Sequence, residues 1–291
     1  TALGEVVIAA ITQTAAYRVL KGGMDYRDFP ALWDLENAFY GVTDKPFNSF
    51  QPVVRKVTAE EEHFLHFLTD YSLIGVNEFK VHATIYFTNG TTHTPPPSGT
   101  PDQEQWETYI YPVGFNALGL DAYITSVNIP YKYTVKIVGS GVGGITTEIR
   151  TFWLEESSRQ DRFFMYENSV QGWNTLRTNG EHRAMPTTQK TEAKKALQKG
   201  YGATDANVVQ KSNGYTDGFE VAIGPKEKAE FIALRDFMNS ERHFEIIDGV
   251  KVPIIVDTTK WKLEYERTGS YTFTEGFKYR FAFINKGYSR A

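Results

Sequence analysis

Phe79-Lys80-Val81-His82-Ala83-Thr84-Ile85-Tyr86-Phe87 decides the fold class. Phe79, Val81, Ala83, Ile85 and Phe87 alternate with Lys80, His82, Thr84 and Tyr86. That period of two places the apolar set on one face of an extended chain. Asn89-Gly90 follows, a hairpin-type turn signal because both residue types tolerate positive φ. Working outward, similar strand patterns occur at Glu107 to Val113, Tyr131 to Val138, Thr146 to Leu154 and Arg162 to Tyr166. Val252 to Val256, Trp261 to Tyr265 and Phe277 to Ile284 complete the set. The 17 Tyr and 20 Phe suit pleated, half-buried surfaces. The expected fold is mainly β and β-sandwich-like, α+β in detail.

Two stretches break the period. Thr58-Ala-Glu-Glu61 has capping-box spacing, and Phe64, Leu65, Phe67 and Leu68 follow as an apolar stripe, so a helix is predicted near 58–71. Gly224-Pro225 places proline at a first helical position, and Ala229, Phe231, Ile232, Leu234, Phe237 and Met238 supply a stripe. A helix is predicted near 225–238, with Asn239 as its C-terminal cap. A chain of 291 residues exceeds the usual single core. The polar stretch Glu155 to Gln160 divides it into an N-terminal β-rich domain, 1–157, and a C-terminal one, 158–291. Each is expected to hold a sheet core and one amphipathic helix, and the similar order suggests two related units. Val6 to Ile11 opens as a strand or short helix, and the aromatic-dense stretch Asp25 to Pro52 is expected to pack across a sheet. Thr91 to Gln105, with Pro95-Pro96-Pro97, reads as an exposed loop, and Glu181 to Gly214 as a long strand pair with an exposed loop near Gly200 to Asn207.

Bulk properties narrow the function. Hydrophobic residues make up 41% and charged residues 23%, enough apolar material for packed cores. The net charge of -4 lacks the basic excess that draws a protein to a nucleic-acid backbone. With no Cys, disulfides and thiolate metal sites are excluded, which suits synthesis in a reducing cytoplasm. No apolar run approaches a membrane span, so a soluble chain is expected. Thr1 fits removal of an initiator Met or of a leader.

The motifs that resemble chemistry read more simply. Gly139-Ser-Gly141-Val-Gly-Gly144 matches G-x-G-x-x-G, but a dinucleotide site needs a helix next, and Ile145 to Leu154 alternates as a strand. A flexible hairpin turn is expected. His63 and His66 have spacing compatible with two metal ligands on one helix, yet no third-ligand motif accompanies them, and a helix face is expected. Glu155-Glu156 and Glu264 to Glu266 supply carboxylates of the kind a glycosidase pairs, as any chain with 35 acidic residues does. Lys190, Lys194, Lys195 and Lys199, with Lys211 beyond, form a basic stretch suited to a solvated strand or loop face. The Pro-rich loop ending at Trp106 reads as a connection. No catalytic, cofactor-binding or metal residue is assigned, and no cofactor is expected.

Arg162-Phe-Phe-Met-Tyr-Glu-Asn-Ser-Val-Gln-Gly-Trp-Asn-Thr-Leu-Arg-Thr-Asn-Gly180 is preceded by Tyr111 to Leu120 and Arg150-Thr-Phe-Trp-Leu154. With Gly218-Phe-Glu-Val, Leu234 to Ser240 and Val252 to Val256, this order resembles uncharacterised two-domain structural proteins of phages and prophage-like elements of anaerobic gut bacteria. Val170 and Gln171 stand where that group has a more Leu-Gly-like turn. The resemblance implies a non-enzymatic virion protein of the tail, baseplate, neck or collar. Its implied partners are copies of itself and neighbouring structural proteins, its location the virion after synthesis in the host cytoplasm. It transfers no site residues. The alternative is a bacterial cell-surface β-sandwich module that binds carbohydrate or host protein, with Trp106, Trp153, Trp173 and Trp261 as stacking candidates.

Overall fold

Period-two patterning becomes strand along most of the chain. The computed structural model describes residues 44–68, 79–99, 108–139, 145–170, 172–196, 199–202, 207–226, 230–257, 271–273, 276–283 and 285–286. The first elements are β1 (Val54–Val57), β2 (Phe64–Leu68), β3 (Phe79–Phe87), β4 (Thr92–His93), β5 (Ser98–Gly99), β6 (Thr108–Pro112), β7 (Pro130–Gly139) and β8 (Arg150–Leu154). They are followed by β9 (Arg162–Glu167), β10 (Trp173–Thr178), β11 (His182–Ala184), β12 (Thr187–Lys194), β13 (Val208–Thr216), β14 (Gly218–Val221) and β15 (Gly224–Lys226). Helix α1 (Glu230–Asn239) precedes β16 (His243–Ile247), β17 (Val250–Val256), β18 (Tyr271–Phe273), β19 (Phe277–Phe281) and β20 (Asn285–Lys286). The protein is mainly β.

The first core lies between a six-stranded sheet, order β1-β8-β7-β3-β4 with β5 also on β3, and the β2–β6 pair. Phe79, Val81, Ala83, Ile85 and Phe87 all face inward and are buried, so the alternation in β3 is the imprint of this layer. Phe67 of β2 meets Phe79 edge-on at 5.3 Å and stacks on Tyr111 at 5.7 Å, while Tyr133 donates its hydroxyl to the Val113 carbonyl at 3.1 Å. β1 pairs in parallel with β8; the other pairings are antiparallel.

The second core sits on a seven-stranded sheet, order β10-β9-β16-β17-β19-β14-β11. Phe237 of α1 packs at 5.0 Å on Phe277 and at 5.3 Å on Tyr166, whose hydroxyl donates to the Ala233 carbonyl at 3.0 Å. The two apolar cores share no residue: the first runs from Phe47 to Phe152 and the second from Phe164 to Tyr279. β12 and β13 form a separate antiparallel ribbon with β20 beyond β13, and β15 pairs with β18.

Several expectations are corrected. The helix predicted near 58–71 is absent from its described part: residues 58–63 turn, with Glu61 N–H donating to the Thr58 carbonyl at 3.3 Å, and Phe64–Leu68 is β2. A strand wins because Leu65 and Phe67 enter the first core on one face while His66, between them, is buried on the other. With Phe64–Leu68 a strand, the parallel between the two halves as sheet-plus-helix units lacks its first helix among the described residues. The second helix starts later than predicted, since Gly224–Lys226 is extended and pairs with β18, and α1 covers Glu230–Asn239. Elsewhere Thr146 and Thr147 make isolated bridges, and the strand itself begins at Arg150. Val6 to Ile11, Trp261 to Tyr265 and residues 140–144 of the glycine run lie outside the described residues.

Candidate functional site

Where the two cores meet, the contact is polar. On the first side stand residues 48–51, Arg55 of β1, the turn carrying Glu61 and His63, and His66 of β2. On the second stand the β9–β10 hairpin, with Asn168 at its tip, and Asn174, Thr175 and Arg177 of β10. Ser49 Oγ donates to Asn174 Oδ1 at 3.0 Å, and Gln51 Nε2 donates to the Thr175 carbonyl at 2.6 Å. Asn48, Glu61, His63, His66, Asn168, Asn174 and Thr175 are all buried. Burying groups of this kind costs least where they are hydrogen-bonded or ion-paired.

Asn168 is the pivot. Its Oδ1 accepts from the backbone N–H groups of Val170 (3.0 Å) and Gly172 (2.8 Å), which closes the hairpin tip and fixes the amide's orientation. Its Nδ2 is therefore the donor, to the Asn48 carbonyl at 2.9 Å and to His66 Nε2 at 3.2 Å. His66 receives this bond on Nε2, so the neutral ring carries its proton on Nδ1. Burial, with some help from the Arg150 charge and against the pull of the Asn48 backbone, lowers the His66 pKa to about 4.

His63 occupies the other end. Arg55 NH1 lies 3.2 Å and Thr175 Oγ1 3.1 Å from His63 Nδ1, and the ring stacks on Phe152 at 5.1 Å. A guanidinium can only donate, so Nδ1 is the acceptor and Nε2 carries the proton, 3.6 Å from Glu61 Oε2. Burial, then the positive charges of Arg55 and Arg177, push the His63 pKa well down. His63 is thus neutral near pH 7, and the cation beside Glu61 is Arg55, at 3.5 Å, rather than the imidazole. Arg55 also donates to Gln51 Oε1 at 2.6 Å. At the rim Arg177 pairs with Glu155 at 2.7 Å and lies 3.8 Å from Asp161.

Thr175, His63 and Glu61 stand in the order of a nucleophile, base and orienting acid. The geometry serves a different end. The Nδ1 that would take the Thr175 proton already accepts from Arg55, and none of the three side chains' residues is more than 3% exposed. What these groups do is join two sheets.

The histidines predicted on a helix face therefore sit in a strand and its preceding turn, each with its own partners. Among the described residues no group of three or more His, Asp or Glu side chains could hold a metal ion. Glu155 is taken up by Arg177 and by Lys56 at 3.4 Å, and Glu264 to Glu266 lie outside the described residues. Trp173 is half-buried against Phe244 (5.7 Å) and Arg242 (5.0 Å), and Trp106 and Trp261 lie outside the described residues. Asn168, Gly172 and Thr175 fall within the stretch that carries the resemblance, but nothing in their spacing marks them as contacts to the first core. Comparison with protein-family models and with curated proteins gives no match to this chain. No helix among the described residues is long and apolar enough to cross a membrane.

Among the described residues, several exposed surfaces stand out. The β12–β13 ribbon carries Lys190, Lys194, Lys195 and Lys199 on exposed positions, as a solvated strand and loop face would. On the outer face of the first sheet, Lys132 Nζ lies 4.2 Å from the Tyr86 ring centre, 5.2 Å from Trp153 and 5.7 Å from Tyr131, and Trp153 is 41% exposed.

Proposed function

We propose that this chain is a non-enzymatic structural protein of a phage or phage-like particle, a tail, baseplate, neck or collar component that works through protein–protein assembly. The observation that carries the reading is the β12–β13 ribbon. β12 is an outer strand of this three-stranded sheet, and a bare strand edge is a template for another chain. Here β12 pairs with β13 alone among the described residues, and its described side chains are exposed apart from half-buried Ala193. Such an arm on a body stiffened by the polar seam suits reaching a neighbour. A loop with exposed Ile124, Val127 and Ile129, held by Asn89 Nδ2 donating to Asn128 Oδ1 at 2.9 Å, offers a second contact. The resemblance to phage structural proteins points the same way.

The test is the assembly state of the purified chain by mass photometry and negative-stain microscopy, with a search for the chain in purified phage-like particles. Rings, or copies within particles, support the reading; a strict monomer absent from particles overturns it.

The Tyr86, Tyr131, Lys132 and Trp153 cluster favours a second reading, a cell-surface module that stacks a sugar ring on exposed aromatics. A glycan-array signal that Trp153→Ala abolishes would establish it.

A further inference from the structure

Among the described residues the outer edge of β12 is unpaired, and it is regular. The irregularity in the ribbon lies on the other strand: Thr191 faces Ser212 and Glu192 faces Gln210, so the extra residue is Lys211 of β13. Hydrogen bonds along an antiparallel pair alternate, one residue's N–H and C=O pointing to the neighbour and the next residue's pointing away. Lys195 N–H donates to the Asn207 carbonyl at 2.7 Å, and Met185 N–H to the Gly218 carbonyl at 2.6 Å, one at each end of the strand. Both are odd positions, so the groups directed away from β13 belong to Thr188, Lys190, Glu192 and Lys194. Pro186, which has no N–H, ends the run.

Those four outward positions are self-complementary. From the ribbon geometry and its charges we infer that β12 pairs antiparallel with β12 of a second copy about a two-fold axis at Thr191. That register sets Lys190 opposite the partner's Glu192, and Glu192 opposite the partner's Lys190. It sets Thr188 opposite the partner's Lys194, and uses all four outward positions as hydrogen-bonded pairs. Other registers are poorer. Centring on Lys190 opposes two lysines. Centring on Glu192 opposes two glutamates and sets Lys190 against Lys194 on both sides. Centring on Gln189 places Pro186 where an N–H is needed. Centring on Ala193 leaves Thr188 unpaired. Opposite charges directly across a strand pair stabilise it and like charges oppose it, which selects Thr191 as the centre. The interface is isologous, as closed dimers require.

This inference rests on the assembly reading and names its partner at the arm. It is tested with the whole chain. Because the sequence has no Cys, Thr191→Cys introduces a single thiol. Facing residues at a non-hydrogen-bonded position lie about 4.5 Å apart between Cα atoms, within disulfide range. Thr188→Cys is the control, since its copies would stand about 20 Å apart, six residues along the strand. Under mild oxidation Thr191→Cys gives a covalent dimer on a non-reducing gel, and Thr188→Cys gives at least about tenfold less. Without cysteine, Lys190→Glu or Glu192→Lys raises the dimer dissociation constant about tenfold in sedimentation velocity, and the double exchange restores it.

A Thr191→Cys chain that stays monomeric, equal cross-linking by both variants, or a double exchange that fails to restore pairing overturns the inference. Failure of the two ideas is separable. Rings or particle copies without a Thr191 cross-link remove the β12 pairing and leave the assembly reading. A Thr191 cross-link in a chain that is absent from particles keeps the pairing and removes the particle role.

Discussion

The imidazole of His66 fills the space that any side chain at Gly172 would need: a Cβ placed there would fall 1.5 Å from His66 Nε2. Gly172 belongs to the hairpin that Asn168 closes, so a ring on the face of β2 turned away from the first core rests directly on the backbone of the β9–β10 hairpin. The two positions are one unit.

Gly172→Ala should therefore destabilise the chain by about 2–4 kcal/mol, as overpacking at a buried contact does. His66→Ala makes room for the added methyl. In the His66→Ala background the same glycine substitution should cost under about 1 kcal/mol, read as a coupling energy from urea unfolding of the four chains. Equal costs in both backgrounds would show that the ring and the glycine are not in contact.

Asn168→Ala should cost about 3 kcal/mol, because it strips the acceptor from two buried backbone N–H groups and the donor from the Asn48 carbonyl and His66 at once. Asn168→Asp keeps the acceptor for the two N–H groups but buries a carboxylate oxygen against the Asn48 carbonyl and His66 Nε2, so it should cost at least as much as alanine. Hydrogen exchange should speed at Val170 and Gly172 in the alanine chain and stay slow in the aspartate chain.

Acid should begin to loosen the structure above the range in which a carboxylate of ordinary pKa titrates. His66 has a folded pKa of about 4 against 6.5 when unfolded. Above pH 6.5 both states hold the ring neutral. Between 6.5 and about 4 the unfolded chain takes up the proton more readily, so stability falls across that window, on the order of 3 kcal/mol for this ring. His63 is lowered in the same direction and adds to the slope. Urea midpoints from pH 7.5 to 4.5 should drop, and His66→Gln should flatten the curve. A midpoint unchanged by pH would mean that the rings are not buried neutral.

Arg55 and Glu61 should behave as a buried pair. Arg55→Met leaves a carboxylate buried without its nearby guanidinium and should cost about 3–5 kcal/mol. Adding Glu61→Gln should recover more than half of that loss in the same unfolding assay.

The sheets were legible wherever one face is buried and the other wet. β3 shows it best: Lys80, His82, Thr84 and Tyr86 are only half-buried, and their contrast with the inward Phe and Val set the period. β2 defeats the same reading because both of its faces are covered, by the first core at Leu65 and Phe67 and by the second at His66. With no wet face, Phe64 to Leu68 became a short apolar run that suits helix or strand alike, and the Thr58–Glu61 spacing tipped it to helix. A turn uses the same spacing, and the Glu61 carboxylate goes to Arg55. The β16–β17 hairpin was within reach of the sequence. Asp248-Gly249 takes positive φ at both residues, 50° and 77°, the signature of a tight hairpin turn, and the pair of letters alone announces it. The seam was out of reach, since its bonds join residues more than a hundred positions apart and no local pattern encodes them.

Histidine, asparagine, glutamine and arginine at the junction also bear on how the chain is made. A lobe that leaves the ribosome first presents hydrated groups at that face, and water holds their place until the second lobe arrives. An apolar junction would stay sticky during that wait and would invite other nascent chains. A junction that stays wet until its own other half arrives limits misassembly.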